Sequence, residues 1–94
     1  MGIEHKLEGW QIDYGYIRWK KTEKNRYEQI FPEDDFTIDM QGKKVDGKKV
    51  DWRRNRISIG KKIMQELFHK DETVVISKSP NEKTVVITKK EHEI

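Results

Sequence analysis

The apolar residues of this chain are mostly β-branched. Eleven isoleucines and six valines stand against two leucines, and alanine is absent. β-Branched side chains pack well on the pleated surface of a sheet, whereas leucine and alanine favour helices. The apolar fraction of 33% is low for a globular protein, but the small net charge of +3 argues against disorder. A chain of 94 residues with this composition predicts one mainly β domain with a modest core.

The chain offers little of the chemistry that enzymes and metal sites need. It has no cysteine, which excludes disulfides and thiolate metal sites. Its histidines, His5, His69 and His92, lack the spacing of metal ligands, and no serine has an evident base partner. We therefore expect no catalytic residue, metal, cofactor or small-molecule substrate. The apolar runs are too short to span a membrane. The absence of cysteine and of a signal-peptide-like apolar run favours a protein of the cytoplasm or nucleoid.

Hydrophobic periodicity predicts the element order β–α–β–β–α–β–β. Residues 10–19 alternate like a strand, and the apolar phase shifts at Gly15, which predicts a bulge. A short helix then runs from Thr22 to Phe31 and ends there because Pro32 disfavours helical geometry in the residue before it. The buried stripe of this helix is predicted to be Tyr27, Ile30 and Phe31.

The middle of the chain predicts a strand, a hairpin and a second helix. Residues 36–40 alternate as a half-buried strand. Gln41-Gly42 and Asp46-Gly47 could each form the hairpin turn, and we place it at Asp46-Gly47 because that dipeptide is the stronger hairpin signal. The second helix opens at Gly60, and its core stripe is Ile63, Met64, Leu67 and Phe68.

Two strands rich in valine and isoleucine follow. Residues 73–76 and 84–87 are apolar on both faces, so their hairpin should be central in the sheet, with its turn at residues 79–82. The polar residues 1–9 and 90–94 are expected to be flexible ends of a single domain that spans residues 10–89. Five strands and two short helices in so short a chain predict an α+β fold built as a small, partly open barrel.

Positive charge is concentrated in residues 42–62. This segment holds six lysines and three arginines against Asp46 and Asp51, a net charge of +7, while the rest of the chain has a net charge of −4. Basic residues interleaved with β-branched and aromatic residues are typical of a structured cationic surface, whose commonest partner is nucleic acid. A solvated strand face is the simpler alternative.

Several short strings follow one another between residues 14 and 88. They are Gly15-Tyr16-Ile17-Arg18, Ile30-Phe31-Pro32, Phe36-Thr37-Ile38, Val50-Asp51-Trp52-Arg53-Arg54-Asn55-Arg56-Ile57, the helix that ends in Phe68, and Asp71 ahead of Thr73-Val74-Val75-Ile76. In order and spacing they resemble the DNA-binding pseudobarrel family, which includes plant transcription-factor domains and the DNA-recognition domains of restriction endonucleases. The family usually has glycine where this chain has Lys70. The resemblance implies an open pseudobarrel of about five strands with two short helices.

The resemblance also implies a function. We expect sequence-specific binding of double-stranded DNA by a non-catalytic recognition module of a restriction system or a regulator. Family members grip the major groove with two projecting segments. The first segment corresponds here to Gln11, Asp13, Tyr14 and Arg18. The second corresponds to the basic hairpin and its return strand, namely Lys43, Lys44, Lys48, Lys49, Arg53, Arg54, Asn55 and Arg56.

Side-chain chemistry divides the work among these positions. Lysines suit phosphates, arginines can fork onto guanine, and Asn55 or Gln11 can pair with adenine. In a regular strand Arg54 and Arg56 share one face, whereas Arg53 and Asn55 lie on the other. We therefore expect Arg54 and Arg56 to contact DNA and Arg53 to form a structural ion pair.

Other functions stay open at this point. Single-stranded DNA or RNA could stack on the aromatic residues, although we expect two of them, Trp19 and Trp52, in the core; the others are Trp10, Tyr14 and Tyr16. Alternatively, a phage or host interaction protein would present the basic face to an acidic partner. A nuclease pattern of Glu33-Asp34 followed by Asp46-Gly47-Lys48 is better explained as a chance match, because Asp46-Gly47 is a turn dipeptide.

Overall fold

Two β-sheets and three α-helices make up the part of the chain that the structure describes, residues 2–80 and 83–90; the structure is a computed structural model. The strands are β1 (Ile3–Lys6), β2 (Tyr16–Arg18), β3 (Phe36–Met40), β4 (Lys43–Lys48), β5 (Arg56–Ser58), β6 (Thr73–Lys78) and β7 (Thr84–Lys89). The helices are α1 (Gly9–Tyr14), α2 (Lys24–Glu28), which follows a 3-10 turn at Lys21–Glu23, and α3 (Lys61–Leu67). Within the described ranges no helix is long and apolar enough to cross a membrane.

The larger sheet is open and has the strand order β1–β6–β7–β3–β4, while β2 and β5 form a separate two-stranded ribbon. Adjacent strands of the larger sheet are antiparallel, except that β3 and β7 run parallel. β6 and β7 each have a partner on both sides, and they bury Val74, Ile76, Val85 and Ile87 completely. The predictions of a mainly β, α+β fold and of a central β6–β7 hairpin are confirmed. The described residues form seven strands and three α-helices rather than the predicted five and two, and the five-stranded sheet does not close into a barrel. The predicted turn of the β6–β7 hairpin includes residues 81 and 82, which lie outside the described residues.

Residues 3–6 are not flexible, contrary to the prediction for residues 1–9. Ile3–Lys6 forms the edge strand β1, which pairs antiparallel with β6 in the register Ile3↔Ile76. Ile3, His5 and Leu7 are buried on one face, while the residues between them face solvent. A strand of four residues with a histidine among its buried positions is too short and too polar to stand out from the sequence.

The predicted strand over residues 10–19 is instead a helix followed by a strand. α1 ends at Gly15, whose φ of 77° is left-handed and closes the helix. A Cβ atom at Gly15 would lie 2.5 Å from the carbonyl carbon of Gly60 and would also collide with the backbone nitrogen of Lys61. The Gly15 carbonyl accepts hydrogen bonds from the backbone N–H groups of Ile59 (2.7 Å) and Gly60 (3.0 Å). Gly15 therefore joins the start of β2 to the start of α3. The shift in the spacing of apolar residues at Gly15 marks this junction and not the predicted bulge.

The β3–β4 hairpin turns at Gln41-Gly42, not at Asp46-Gly47 as predicted. Gln41 and Gly42 have φ angles of 53° and 90°, the two positive values that a two-residue hairpin turn requires. Gly47 (φ 68°) lies inside β4, where the register passes from Ile38↔Val45 to Phe36↔Lys48. β4 thus has one residue more than β3 over this stretch, which is a β-bulge with glycine at the left-handed position.

The two predicted helices are present, and both bury the predicted stripes. Tyr27, Ile30 and Phe31 are buried beside α2, although the last two lie just beyond its end at Glu28. α3 begins after Gly60 as predicted; Met64 and Phe68 are buried, while Ile63 and Leu67 are partly buried against the core. Trp19 stacks on Tyr27 with ring centroids 4.4 Å apart and is itself core, as expected. Trp52 is only half-buried and packs against the core.

Candidate nucleic-acid interface

The β2–β5 ribbon has one face in the core and one face toward solvent. Ile17 and Ile57 pair across the ribbon, and both are completely buried. Because side chains alternate along a strand, the residues on either side of this pair point outward. The outer face, which we call the ribbon face, consists of Tyr16, Arg18, Arg56 and Ser58.

Arg18 and Arg56 are direct cross-strand partners on the ribbon face. Residues opposite each other in an antiparallel pair have Cβ atoms about 4.5–5.5 Å apart, and like charges at such positions are destabilising. Among the described residues, no carboxylate lies within ion-pair distance of either guanidinium group. The two positive charges are thus held together without an anionic partner from this part of the protein.

An aromatic ring supports each of these guanidinium groups. The Cζ atom of Arg56 lies 4.4 Å from the ring centroid of Tyr16, and that of Arg18 lies 5.9 Å from the ring centroid of Trp10. Trp10 is held in turn by Glu8, whose carboxylate accepts the indole N–H at 2.7 Å. These cation–π contacts restrict both arginine side chains while leaving their N–H donors free for a ligand.

Residues 52–55 form a turn, so the strand alternation predicted for Arg53, Arg54 and Asn55 does not apply to them. Asp51 shapes the turn by accepting the backbone N–H groups of Arg53 and Arg54, both at 3.2 Å. Both arginine side chains are exposed on the turn. The structural ion pair predicted for Arg53 is formed by Arg54 instead, whose Nη1 lies 3.9 Å from the Asp51 carboxylate.

Asn55 ends the turn in a left-handed conformation (φ 53°), and its carbonyl oxygen accepts the Trp19 backbone N–H at 3.0 Å. Its side-chain Oδ1 is buried and has no hydrogen-bond partner among the described residues. The prediction that Asn55 offers its amide to an adenine from the protein surface is therefore not supported by its position.

The four lysines of β4 and its flanks do not form one projecting cluster. Lys43 and Lys44 lie beside the hairpin turn, whereas Lys48 and Lys49 lie at the other end of the strand, roughly 13 Å away for four residues of extended chain. Lys43 is bound to Glu66 of α3 at 2.8 Å, and this hydrogen bond and the lysine charge lower the pKa of the Glu66 carboxyl. The hairpin tip is thus partly neutralised, while Lys49 lies just ahead of Val50, Asp51 and the turn of residues 52–55, which we call the basic turn.

Gln11 does not lie on the surface, contrary to its predicted role as a DNA contact. Only 4% of the residue is exposed, because α1 turns it into the core side of the ribbon. Its Oε1 accepts a hydrogen bond from His5 Nε2 at 2.8 Å and one from the Arg18 backbone N–H at 3.4 Å. Gln11 therefore helps to position Arg18. Asp13 and Tyr14 of α1 are exposed, and Tyr14 is exposed by 60%.

His5 is a buried polar residue whose placement the sequence did not reveal. Since Gln11 Oε1 is an acceptor, His5 donates from Nε2, and its Nδ1 accepts the hydroxyl hydrogen of Tyr27 at 2.9 Å. Burial lowers the pKa of His5 below its ordinary value of 6.5 and raises the pKa of Tyr27 to about 12, so both groups are held neutral. The alternation of Ile3, His5 and Leu7 places His5 on the buried face only once β1 is known to pair with β6.

A cleft of about 520 Å³ opens beside the ribbon, and we call it the α1 cleft. His5, Trp10, Gln11, Trp19 and Asn55 are among its lining residues. Charged side chains also line it, with the cations Lys6, Arg18, Lys20 and Lys21 and the carboxylates Glu4, Glu8 and Glu23. The α1 cleft and the ribbon face therefore share Arg18.

Comparisons of the chain with protein-family models, curated proteins and solved structures found no match. The resemblance to the DNA-binding pseudobarrel family, which depends on short strings, stays a prediction.

Proposed function

We propose that this protein binds double-stranded DNA with the ribbon face and the basic turn beside it, as a non-catalytic, sequence-specific recognition module. The observation that carries the proposal is the outward pair of Arg18 and Arg56, which has no carboxylate partner among the described residues. Two adjacent positive charges cost folding free energy, and a polyanion that lies across both would offset that cost.

The shape of the ribbon favours a duplex. The major groove of B-DNA is about 12 Å wide and admits a two-stranded β-ribbon, which is the form of the β2–β5 pair. An arginine that enters the groove can form two hydrogen bonds to guanine O6 and N7, or bind a phosphate with the same planar fork. Support from Tyr16 and Trp10 lowers the entropy that Arg56 and Arg18 lose on binding.

The basic turn supplies charges that suit the DNA backbone. Arg53 and Arg54 are exposed at the end of the ribbon, and Lys49 is exposed just before it in the chain. Each phosphate that such a side chain neutralises releases a counterion, so affinity should fall steeply with salt concentration. These residues position the duplex, whereas Arg18 and Arg56 are assigned to base readout.

A single-stranded ligand fits this surface less well. Base stacking needs open aromatic faces, but Tyr16 and Trp10 each have a guanidinium group over the ring. Of the large apolar side chains within the described ranges, only Tyr14 is strongly exposed, and one such ring makes a poor stacking platform. The carboxylates of an acidic protein can also take the arginine fork, so competition by polyglutamate is what separates such a partner from DNA.

The proposal is tested by fluorescence anisotropy with a labelled random-sequence duplex, with oligo-dT and polyglutamate as competitors. We expect saturable duplex binding at low salt, a linear fall of log K with log salt concentration, and weak competition by either competitor. Repeated rounds of selection should then enrich a sequence motif. Absence of duplex binding at low salt, or stronger competition by oligo-dT or polyglutamate than by unlabelled duplex, would overturn the proposal.

A further inference from the structure

The α1 cleft combines a usable size with a rigid aromatic wall. A volume of about 520 Å³ is within the range of about 300–1,000 Å³ that is usual for small-molecule sites. Trp10 is fixed by its hydrogen bond to Glu8, and Trp19 is fixed by its stack on Tyr27, which has an interplanar angle of 9°. Because the face of Trp19 is used in this stack, its polar edge is the group that it can offer to a ligand.

Two polar atoms of the cleft-lining residues have no hydrogen-bond partner among the described residues. They are the indole Nε1 of Trp19, a donor, and the side-chain Oδ1 of Asn55, an acceptor. Trp19 as a whole is 4% exposed, and its backbone N–H is bonded to the Asn55 carbonyl, so the two residues are held side by side. Both atoms are shielded from solvent, so a ligand would displace a neighbouring side chain to reach them. A ligand that carries both an acceptor and a donor would offer each atom a partner.

The charge around the cleft favours an uncharged binding group over a phosphate. Four cations and three carboxylates line it, which leaves a net charge of only +1. A nucleobase is flat and uncharged and presents neighbouring donors and acceptors on its edge. Arg18, which belongs to both the α1 cleft and the ribbon face, places the mouth of the cleft beside the duplex surface proposed above.

We infer that the α1 cleft is a nucleobase pocket. This inference rests on the proposed DNA-binding function, because bound DNA is one source of the base. Trp10, with the Arg18 guanidinium group over its ring, forms a wall of the pocket. Trp19 Nε1 donates to the base and Asn55 Oδ1 accepts from it. The base comes either from a free nucleotide or from a nucleotide extruded from the duplex on the ribbon face.

The indole N–H signal of Trp19 in ¹⁵N-labelled protein reports occupancy directly. The protein is titrated with AMP, GMP, CMP and dTMP in turn. The backbone amide of Gly42, in the β3–β4 turn and outside the cleft lining, is the internal control, because the Trp52 ring contacts Trp19 with centroids 5.7 Å apart. Asn55→Gly is the matched variant, because glycine tolerates the left-handed backbone at this position while removing Oδ1. We expect a saturable shift of the Trp19 signal with at least one nucleotide, an unmoved Gly42 signal, and about tenfold weaker binding by the variant.

A second arm separates the two sources of the base. A duplex with 2-aminopurine at scanned positions gains fluorescence if the protein extrudes that base, and Asn55→Gly should abolish the gain. Fluorescence gain identifies an extruded base, and nucleotide binding without gain identifies a free nucleotide. If neither the Trp19 signal nor the 2-aminopurine signal responds, or if Asn55→Gly responds like the wild type, the pocket is overturned. Duplex anisotropy is read separately, so loss of duplex binding alone rejects the proposed function and not the pocket.

Discussion

Arg18 and Arg56 lie directly opposite each other on the outer face of the β2–β5 ribbon, and each guanidinium group is covered on one side by an aromatic ring. A like-charged pair at this spacing is unfavourable in an isolated protein. The buried Ile17–Ile57 pair behind it and the Gln11 contact to the Arg18 backbone hold the two strands in this register. The fold therefore keeps two positive charges together that would otherwise separate, which is the physical basis of the proposed DNA-binding surface.

Tyr16 should contribute to DNA affinity by holding the Arg56 guanidinium group in place. Its ring lies 4.4 Å from the Arg56 Cζ atom, so Tyr16→Leu removes the cation–π contact while Tyr16→Phe keeps it. We expect Tyr16→Leu to weaken duplex binding by about 0.5–1 kcal/mol and Tyr16→Phe to bind like the wild type. Anisotropy titrations of both variants at one salt concentration measure the difference, and equal affinities would show that the ring does not support Arg56.

The close approach at Gly15 should dominate the stability of the α1–β2–α3 junction. Gly15→Ala places a methyl group against the backbone of Gly60 and Lys61 at a left-handed φ, whereas Gly42→Ala introduces a similar left-handed strain (φ 90°) where no atom lies within 4 Å. We expect a loss of unfolding free energy of about 1 kcal/mol for Gly42→Ala and about 3 kcal/mol or more for Gly15→Ala. Urea denaturation measures both, and similar losses would contradict the junction described here.

Stability should fall on acidification through His5. The pKa of His5 is lowered in the folded protein by burial, so below the ordinary value of 6.5 the unfolded chain binds more protons than the folded one. His5 therefore contributes its full stability above about pH 6.5, and this contribution is lost as the pH falls toward the lowered value.

His5→Gln removes this dependence, whereas His69→Gln, which changes an exposed histidine, retains it. Urea midpoints of the three proteins from about pH 7.5 to about pH 5 test the expectation. If the wild type and His5→Gln lose stability in parallel, the buried histidine is not the titrating group.

The lysines of the basic segment should differ in their contribution to salt dependence. Lys49 is exposed, and no acidic partner lies within ion-pair distance in the described residues, whereas Lys43 is engaged by Glu66 at 2.8 Å. Lys49→Ala should reduce the slope of log K against log salt by about 1, while Lys43→Ala should change it little. Lys78→Ala, an exposed lysine of β6, is the control. If the two variants have equal slopes, the ion pair with Glu66 does not reduce the contribution of Lys43 to DNA binding.

The elements that could be predicted from the sequence are those with strong, local apolar patterns. The β6–β7 hairpin and α3 have such patterns, and both are present. α1 was misread as a strand because Trp10, Ile12 and Tyr14 alternate by chance over a helix of six residues. The turn of the β3–β4 hairpin was misplaced because two glycine dipeptides compete, and only the pairing with β3 decides between them.

The charge pattern identified the basic segment but not how it is arranged. Arg56 belongs to the site only because it pairs with Arg18, and this contact is made between distant parts of the chain. The ion pairs of Lys43 with Glu66 and of Arg54 with Asp51 likewise depend on tertiary structure. Side-chain alternation could not describe Arg53, Arg54 and Asn55, because the Asp51 turn interrupts the strand at these residues.

The most direct test compares the wild type with the Arg18→Ala/Arg56→Ala double variant on a duplex selected by the wild type and on a random duplex. Lys24→Ala/Arg26→Ala, which removes two positive charges already paired with Glu28 at 3.7 Å and Glu23 at 3.4 Å, is the charge-matched control. The account predicts that the double variant loses about 1–3 kcal/mol per arginine on the selected duplex and much less on the random one, while the control binds like the wild type. Unchanged binding of the selected duplex by the double variant would contradict the claim that this arginine pair reads DNA.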